Sequence, residues 1–393
     1  MIQKGESTSV SSPVKRKIAI VTSSRADYAH VRWLIHDLSR EAAIDLQVIA
    51  LGPHLSPAFG NTGKGIDAEN ISTVECLLDS DTDVGMAKTI GVATLGLADI
   101  LGRLRPDILL IIADRYEMLA PAAVAMALRI CIAHVEGGET TLGAIDDAVR
   151  NALTKMSHLH FACTRKAAER IAAMGEERWR ITFSGSLSLD FLHRERLISQ
   201  AAVERELKFK IAMDAILCIY HPVTLLKDTT EEAEEILAAL NSRREQIIFV
   251  YPNADAGSRE LMRRVAAFAN QHRGARVLVN LDHRTYLSLL KYAGVLVGNS
   301  SSGIIECTSL EVPVVNVGIR QQGREYGANV INVSAEREAI CAAIDRAVSA
   351  KFRRSIQRLE SPYGDGRASK IICDVLRTVR LGPKLLFKQP QFL

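Results

Sequence analysis

Residues 108–139 read ILLIIADRYEMLAPAAVAMALRICIAHVEGGE, and the alternation within this stretch indicates the class of fold. Ile108–Ile112 and Ile130–Val135 are short, nearly unbroken runs of apolar residues, as expected for strands that are buried on both faces. Glu117–Leu128 lies between them and has the length of a crossover helix. The stretch therefore predicts a β-α-β unit with two parallel strands.

The same alternation extends over the rest of the first half of the chain and predicts a doubly wound domain there. Short apolar runs predict further strands at Ile18–Thr22, Leu46–Leu51 and His160–Cys163. Amphipathic segments of crossover length predict helices at Ala29–Arg40, Val84–Leu104 and Ala144–His158.

A charged stretch with few apolar residues, His193–Lys210, interrupts this rhythm, and the rhythm then restarts. Strands are predicted in the second half at Ala215–Tyr220, Ile247–Tyr251, Val277–Asn280, Val295–Gly298 and Val312–Val317. Two closing helices are predicted at Ala339–Val348 and Ala368–Val379, with an irregular tail after them.

These patterns predict an α/β protein with two doubly wound, Rossmann-like domains that face each other across a cleft. We assign residues 15–187 to the N-terminal domain and residues 188–365 to the C-terminal domain. Residues 366–393 are expected to form a closing helix and a tail that pack back on the N-terminal domain, and residues 1–14 to form a loose polar leader. Ligands of such folds bind at the carboxyl ends of the strands, so we expect the functional site in the cleft.

The composition excludes several classes of protein. The chain has 393 residues, 48% of them hydrophobic and 24% charged, and a net charge of only +4, so no footprint for nucleic acid is expected. No apolar run reaches the roughly 18 residues of a membrane span, and the N-terminus lacks the apolar core of a signal peptide. The seven cysteines are scattered without a C-x-x-C pair, which favours reduced thiols and a cytoplasmic location.

Acidic residues follow two successive strands of the N-terminal domain. Asp114 comes directly after Ile108–Ile112, and Glu136 comes after the next strand. Asp146 and Asp147 then open a helix, with Arg150 one turn later on the same face. Each could be a structural cap or surface charge, but carboxylates in close company acquire separated pKa values, as acid–base chemistry requires.

Basic residues also follow predicted strands. Arg25 lies in the small-residue turn between the first strand and its helix, where an anion would be favoured; the alternative is a solvated arginine behind a serine helix cap. His221 follows a strand of the second domain and could bind a phosphate or shuttle a proton. Its structural alternative is a surface histidine before a proline turn.

The strongest local pattern is Gly298–Glu306, GNSSSGIIE, in which a strand, a serine and glycine loop and a helix follow one another. Ser301, Ser302 and free helix N–H groups would hold a diphosphate, and Glu306 could accept hydrogen bonds from ribose hydroxyls. The lysine of a Walker loop is missing and no G-x-G-x-x-G follows a strand, so ATP and NAD are poor candidates.

Two further loops carry polar candidates, and no metal site is predicted. Asn253 follows the strand at Ile247–Tyr251 and is a candidate polar contact to a ligand. Arg320 and Arg324 follow Val312–Val317 and suit a pyrophosphate or a nucleobase edge, and the alternative is that both are solvated loop arginines. The pair His158 and His160 has no neighbouring carboxylate or cysteine ligand in the sequence, which favours packing over coordination.

Taken together, these motifs resemble the UDP-N-acetylglucosamine 2-epimerase family, whose members have the two-domain GT-B fold. The likeness covers nearly the whole chain. Seven ordered motifs carry it: Ser24–Tyr28 (SRADY), His54–Thr62 (HLSPAFGNT), Ala113–Arg115 (ADR), His134–Glu139 (HVEGGE), Ile145–Asp147 (IDD), His221–Thr224 (HPVT) and Gly298–Gly303 (GNSSSG).

Within that family the chain is similar to the hydrolysing branch. Members of the other branch carry H-V-E-A-G-L-R followed by P-E-E-x-N-R, where this chain has HVEGGE and, at residues 145–150, IDDAVR. The loop at Leu51–Thr62 also resembles the hydrolysing form, so the allosteric site of the other branch is not expected. The resemblance implies elimination of UDP from UDP-N-acetylglucosamine to give a glycal, and then hydration to free N-acetylmannosamine, supplying sialic acid synthesis.

The resemblance also implies the roles of individual residues, with no metal and no other cofactor. The implied catalytic residues are Asp114, Glu136, Asp146, Asp147 and His221, with one of the two adjacent aspartates open to misalignment. The implied nucleotide contacts are Arg25, Asn253, Ser301, Ser302, Glu306 and Arg320. The implied substrate contacts are Arg115, Gly137 and Gly138. A homodimer or homotetramer is expected, with the UDP-sugar as the only other partner.

Two alternatives stay open at this point. Hydrolysing relatives differ in the turn between Glu139 and Asp146, and some act on UDP-2,4-diacetamido-2,4,6-trideoxy-glucose in legionaminic acid synthesis. A retaining GT-B glycosyltransferase shares the fold, and a sensor that binds UDP without reaction would share the cleft. UDP release without an acceptor distinguishes the epimerase from both.

Overall fold

The computed structural model describes residues 15–57, 61–78, 82–142, 145–223, 231–251, 258–279, 281–389 and 391. Its first half contains a seven-stranded, all-parallel sheet in the order β3-β2-β1-β4-β5-β6-β7. The strands are β1 (Arg16–Thr22), β2 (Ile44–Leu51), β3 (Ile71–Val74), β4 (Ile108–Ile112), β5 (Cys131–Val135), β6 (Leu159–Ala162) and β7 (Ile181–Phe183).

Helices connect these strands and lie on both faces of the sheet, as parallel strands require. They are α1 (Arg25–Ser39), α2 (Asp83–Leu104), α3 (Leu119–Ala127), α4 (Asp146–Met156) and α5 (Arg165–Ala173). Two helices follow β7 and lead to the second half, α6 (Ser188–Arg194) and α7 (Gln200–Leu207), and Val203 of α7 is buried with residues of the second sheet. Strand β1 shows why both faces are covered: Ile18 and Ile20 are buried in one apolar cluster, while Ala19 and Val21 are buried in another.

The second half contains a six-stranded parallel sheet in the order β10-β9-β8-β11-β12-β13. The strands are β8 (Ile216–Ile219), β9 (Ile247–Val250), β10 (Ala275–Leu278), β11 (Val295–Gly298), β12 (Val314–Val317) and β13 (Val330–Val333). The helices are α8 (Glu231–Asn241), α9 (Ser258–Gln271), α10 (His283–Tyr292), α11 (Ser301–Ile304), α12 (Glu306–Ser309), α13 (Arg337–Val348), α14 (Ala350–Ser355), α15 (Ala368–Thr378) and α16 (Pro383–Leu386).

The predicted fold class is therefore confirmed: the chain forms two parallel-sheet α/β domains. Each predicted strand coincides with an observed one to within two or three residues, and β4 and β11 match to the residue. The prediction missed β3, β7 and β13, which are three- or four-residue strands at the edges of the sheets. Their polar residues, as in Ile71–Val74 (ISTV), interrupt the apolar runs that mark central strands.

The strand orders identify the crevices in which ligands of this class of fold generally bind. In the first sheet β2 and β3 lie on one side of β1, and β4 lies on the other side. The second sheet repeats this at β8 and β11. Such switch points leave a crevice at the carboxyl ends of the two strands. Arg25 and Asp114 follow the two strands of the first switch point, and His221 and Ser301 follow those of the second.

The end of the chain packs on the N-terminal half. Helix α15 contacts α1, and its Ile372 and Leu376 are buried in the same cluster as Ile18. Arg180, which is buried, donates hydrogen bonds to the main-chain oxygens of Lys384, Leu385 and Phe387 at 2.7–2.9 Å. A buried guanidinium that binds three carbonyl groups fixes the path of the tail.

Glu176 binds Lys388, the tail residue that follows Phe387, and we expect this interaction to depend on pH. Its carboxylate contacts Lys388 Nζ at 2.8 Å, Lys155 Nζ at 2.6 Å and His160 Nε2 at 3.2 Å. Burial alone would raise the pKa of Glu176, but these three hydrogen bonds outweigh it and lower the pKa to about 2. A depressed carboxyl pKa stabilises the fold above the ordinary value near 4.5, and this stabilisation is lost as the pH falls towards 2.

The variant Glu176→Gln should therefore lower the free energy of unfolding near neutral pH by about 2 kcal/mol, allowing for solvent screening of the half-exposed Lys155. Urea unfolding followed by circular dichroism at a series of pH values measures this difference. The gap between wild type and variant should be constant above pH 5 and should narrow below pH 4.5. An unchanging gap at all pH values would contradict the assignment.

The length and composition of helix α2 differ from the expectation that no apolar segment reaches the length of a membrane span. Among the residues that the structure describes, Asp83–Leu104 is the one helix that is long and apolar enough to cross a membrane, judged by length and composition only. Lys88 and Asp99 interrupt its apolar residues, so the sequence of this helix contains no uninterrupted apolar run long enough for a membrane span. One side of the helix packs in the fold through Gly85, Thr89, Ala93, Leu97, Ile100 and Leu101.

Candidate active site

The carboxyl ends of β4 and β5 hold two non-glycine residues in the left-handed region of backbone conformation. Ala113 has φ +58° and Glu136 has φ +66°. Each directly follows its strand, with Ala113 N–H donating to Val135 O and Glu136 N–H donating to Phe161 O. Such conformations cost free energy and cluster at functional sites. Both turns redirect the chain at the carboxyl ends of β4 and β5.

His134 ties these two turns together. Its Nε2 is 2.8 Å from Ala113 O and must donate to it, and Nδ1 accepts from the Thr154 hydroxyl at 3.3 Å. Burial lowers the pKa of His134 to about 4, although the hydrogen bond to Ala113 acts in the opposite direction. His134 is therefore neutral at physiological pH and acts as a fixed spacer between β4 and β5.

Asp114 forms an ion pair with the buried Arg150 of α4. The other contacts of Arg150 are Glu139 O at 3.0 Å, Thr141 Oγ1 at 2.8 Å and Asp147 Oδ1 at 3.4 Å. Burial would raise the pKa of Asp114, but the charges of Arg150, Arg324 and Arg320 outweigh it and lower the pKa. Asp114 is therefore held ionised, with about a fifth of its side chain exposed to solvent.

The structure distinguishes the two adjacent aspartates at the start of α4. Asp147 Oδ1 accepts from Thr141 N–H at 3.0 Å and from Arg150, and Oδ2 accepts from Asn151 Nδ2 at 3.2 Å. Its carboxylate thus holds the loop that precedes the helix. Asp146 is half-buried at the first helical position, next to this arrangement.

Glu136 belongs to a chain of side chains that reaches the second domain. Ser186 Oγ donates to Glu136 Oε1 at 3.0 Å and lies 3.1 Å from Ser188 Oγ, which also interacts with the Glu306 carboxylate. His30 Nδ1 of α1 is 4.0 Å from Glu136 Oε1. Burial raises the pKa of Glu306, and the charge of Glu136 adds to this. Oε2 of Glu306 is buried and has no hydrogen-bond partner within the described ranges.

Gly137 and Gly138 are explained by packing of the protein itself. A Cβ atom on Gly138, where φ is +75°, would lie 2.3 Å from Ala167 O of α5. A Cβ on Gly137 would lie 2.9 Å from His134 Nδ1 and from Thr154 Oγ1. The two glycines therefore let β5 approach α4 and α5 closely, and their predicted contact with substrate stays a prediction.

Arg115 is engaged within its own loop. Its Nε and a terminal nitrogen donate to Glu117 at 3.2 and 3.0 Å in a bidentate pair, and Glu117 is completely buried. The pair compensates a charge that would otherwise be costly in the interior. This contact holds the turn after β4, and the predicted contact of Arg115 with substrate stays a prediction.

Asn299 holds His221 at the carboxyl end of β8. The Asn299 amide accepts from His221 N–H at 2.7 Å and donates to His221 O at 2.8 Å, and Asn299 is completely buried. The main-chain oxygen of Asn299 accepts from Arg320 at 3.2 Å and from Gln321 at 2.8 Å. One side chain thus joins the ends of β8 and β11 to the loop after β12.

The same loop crosses the cleft to the N-terminal domain. Arg324 Nε donates to Thr140 O at 3.3 Å and is 3.6 Å from the buried Glu139 carboxylate. Glu139 also accepts from Tyr363 at 3.1 Å, and Arg170 of α5 donates to Gly323 O at 3.0 Å. The charge of Glu139 raises the pKa of Arg324 despite burial, so Arg324 is a permanent cation beside the acidic loop.

The remaining predicted contacts lie on or beside the cleft. Arg25 is exposed at the first position of α1, where Ser24 accepts from Asp27 N–H as the helix cap. Ser301 and Ser302 are half-buried at the start of α11. Predictions that involve the leader 1–14, Gly60, Ala144, Thr224, Asn253 and Asn280 lie outside the described residues.

The two histidines of the H-x-H pair make contacts within the N-terminal fold. His158 Nδ1 accepts from Ile132 N–H at 3.0 Å, and His160 pairs with Glu176. Within the described ranges there is no group of three histidine, cysteine or carboxylate side chains arranged to hold a metal ion.

Sequence reasoning missed several residues that the structure brings into the site. Asn299 and Glu139 stand inside quoted motifs without a predicted role, and Arg324 is predicted to suit a pyrophosphate or a nucleobase edge but not to meet Glu139 or Asp114. Ser186 and Ser188 had no sequence signal, because β7, which precedes them, was not predicted. The sequence signal for these serines is a pair of polar residues directly after a short, polar edge strand.

Two parallel-sheet α/β domains, with charged side chains at the carboxyl ends of their strands, define a protein of the GT-B-like class. The family model described as UDP-N-acetylglucosamine 2-epimerase matches residues 36–377. The chain belongs to this family, and its similarity is to the hydrolysing members.

The similarity extends over almost the full length of known relatives. The GDP/UDP-N,N'-diacetylbacillosamine 2-epimerase (hydrolyzing) of Campylobacter jejuni is 36% identical, over 87% of this chain and 90% of that protein. The UDP-N,N'-diacetylbacillosamine 2-epimerase (hydrolyzing) of Legionella pneumophila is 34% identical, over 95% and 98%. The UDP-GlcNAc 2-epimerase of Neisseria meningitidis, solved bound to UDP-GlcNAc, superposes with a TM-score of 0.79 at 17% identity, over 92% and 99%.

Proposed function

We propose that the protein releases UDP from a UDP-linked 2-acetamido sugar and forms the free 2-epimer of that sugar. The observation that carries the proposal is that Asp114 and Glu136 follow neighbouring strands of one sheet, with Asp146 at the start of α4, while the charges of Arg320 and Arg324 from the other domain act on Asp114. Carboxylates serve proton transfer at C2, and the facing cations serve a diphosphate leaving group.

The reaction has two stages that together consume one water molecule. In the first, a carboxylate takes the C2 proton, the C1–O bond breaks with its electron pair leaving on UDP, and a C1–C2 double bond forms. In the second, water adds as hydroxyl to C1 and gives its other proton to a carboxylate, while a protonated carboxyl group delivers a proton to C2 from the opposite face. The products are UDP and the free 2-epimer.

The ionisation of Asp114 supports a role as a proton acceptor. Its lowered pKa keeps the carboxylate charged at neutral pH, and its exposed fraction leaves it accessible from the cleft. Glu136 and Asp146 are the partners for the second proton transfer. Asp147 acts as a positioning residue, since both of its oxygens are engaged by Thr141, Arg150 and Asn151.

The nucleotide would lie against the second domain. His221, fixed by Asn299, and Arg320 are arranged for the diphosphate, with Arg25 approaching from the end of β1. Fixed cations and helix N–H groups stabilise the charge that develops on the leaving oxygen. Ser301, Ser302, Glu306 and Asn253 are assigned to the remaining phosphate, ribose and base contacts.

For the sugar, we favour a 2,4-diacetamido-2,4,6-trideoxy hexose over N-acetylglucosamine. Leu142 is 55% exposed and its Cγ is 3.7 Å from the position of a Cβ on Gly323, so an apolar side chain lies open at the cleft. The methyl groups of a 4-acetamido, 6-deoxy sugar would cover it better than two hydroxyl-bearing carbons. The names of the Campylobacter and Legionella relatives support the same sugar.

The test is to incubate the purified protein with each UDP-sugar separately in D2O and to follow products by proton and phosphorus NMR. Release of UDP and of a free sugar with deuterium at C2, without an acceptor, is the expected result. The GDP-linked diacetamido sugar should be included, because the name of the Campylobacter relative includes it. A higher kcat/KM for UDP-N-acetylglucosamine would overturn the sugar assignment, and no release from any donor would overturn the function.

A further inference from the structure

Exposed cations form a row at the amino-terminal end of the first sheet, which is the end opposite to the candidate active site. Strands β1, β4, β5, β6 and β7 are neighbours in this order and run parallel. An exposed lysine or arginine stands at the start of each strand or shortly before it: Lys15 and Lys17 at β1, Arg105 before β4, Arg129 before β5, Lys155 before β6 and Arg178 before β7. Since neighbouring strands lie about 4.8 Å apart, the row extends over roughly 20 Å.

The end of the chain crosses the same end of the sheet. Arg16, at the start of β1, donates to Val379 O at 2.7 Å, and Lys388 donates to Ser157 O, just before β6, at 2.8 Å. Between these two anchors the tail adds two exposed cations, Arg380 and Lys384. Large apolar side chains are exposed on the tail and next to it: Leu381 by 37%, Leu386 by 37%, Phe387 by 74% and Trp179 by 45%. We call these cations and apolar side chains together the basic face.

Most of the charge on the basic face is not neutralised by the protein itself. Lys155 binds Glu176 at 2.6 Å, but the other cations of the face form no ion pair with a carboxylate of the described ranges. Glu177, which stands beside them, is engaged by Arg180 and by the indole N–H of Trp179. The whole chain has a net charge of only +4, so its composition does not reveal this local excess. An uncompensated row of cations attracts an extended anion.

We propose that the basic face binds an anionic lipid surface. The lysine and arginine side chains would lie at the phosphate headgroups, and Trp179, Leu386 and Phe387 would lie at the boundary with the acyl chains. Clustered cations next to exposed aromatic and aliphatic side chains are typical of proteins that lie on such a surface. The candidate active site stays open in this orientation, because it lies at the carboxyl ends of the same strands.

The apolar side chains favour lipid over other polyanions. Nucleic acid bases stack on open aromatic faces, but Arg180 and Lys384 already lie against the Trp179 ring, 4.2 and 5.3 Å from its centroid. Exposed leucines such as Leu381 and Leu386 offer nothing to a phosphate backbone. The acyl boundary of a bilayer takes up aliphatic and aromatic side chains without directional contacts.

The experiment is flotation of the full chain on a density gradient with phosphatidylcholine vesicles that contain or lack phosphatidylglycerol. We expect the protein to float only with phosphatidylglycerol, and added salt should release it, because salt screens exposed charges. The double variant Arg380→Glu, Lys384→Glu should lower the partition onto vesicles at least about twentyfold, since each cation near an anionic surface contributes about fivefold. Phe387→Ser should lower the partition about tenfold through the loss of apolar contact alone.

Matched controls come from the second domain. Lys351→Glu combined with Arg354→Glu makes the same change of charge on the exposed side of α14, and Met213→Ser removes an apolar side chain that is 83% exposed. Both controls should float like the wild type, and circular dichroism checks that every variant is folded. Equal flotation with and without phosphatidylglycerol, no flotation, or variants of the basic face that float as well as the wild type would overturn the proposal. Binding to soluble polyglutamate without flotation would assign the face to an acidic protein and would also overturn it.

Discussion

Asp114→Asn is expected to lower kcat by about a thousandfold while leaving the binding of UDP nearly unchanged. The substitution keeps the shape of the side chain but removes its basicity, and acid–base groups contribute about 10²–10⁴ in rate. Asp114 belongs to the N-terminal domain, whereas most of the assigned nucleotide contacts belong to the C-terminal domain, so KM should change little. Steady-state kinetics with coupled detection of UDP, together with calorimetric titration of UDP, measure the two effects.

The adjacent pair Asp146 and Asp147 provides the matched comparison. Asp146→Asn should resemble Asp114→Asn, with a large loss in kcat, if Asp146 transfers a proton. Asp147→Asn should act mainly on KM and thermal stability, because its carboxylate holds Thr141 and Asn151. The reverse result would exchange the two roles, and a full-rate Asp114→Asn enzyme would exclude Asp114 from the chemistry.

Arg324→Ala is expected to reduce kcat/KM by roughly ten- to a hundredfold and to move the acid limb of its pH profile to higher pH. Arg324 is one of the charges that lower the pKa of Asp114, so its removal raises that pKa and protonates the base at a higher pH. The variant also leaves the buried Glu139 without its cation, which is costly for stability.

Arg324→Lys is the control for this prediction. It keeps the positive charge and should hold the acid limb near its wild-type position, with a smaller loss of rate from the missing guanidinium contacts. A pH profile that does not move in Arg324→Ala, despite lower activity, would show that Arg324 acts only by holding the loop to Thr140 and Glu139. Thermal unfolding of both variants separates that structural loss from the electrostatic effect.

The central strands were predictable because burial on both faces demands uninterrupted apolar runs, as in Ile108–Ile112 and Val295–Gly298. The same reason explains why the edge strands β3, β7 and β13 are not predicted. Edge strands such as β7 pair on one side only and tolerate polar residues, so they leave no comparable signal. Because β7 is not predicted, the two serines that follow it are missed as well. Ser186 and Ser188 connect Glu136 to Glu306.

The sequence by itself determined the fold class, the family and the residue types that stand at the strand ends, because periodicity and ordered motifs are local properties of the chain. Only the tertiary structure decided which charges meet. Asp114 and Arg324 are far apart in the chain, and Asn299 and His221 are also distant in sequence, so neither contact leaves a pattern in the sequence. The electrostatic state of the site depends on such distances and on burial, which arise only when the two domains pack together.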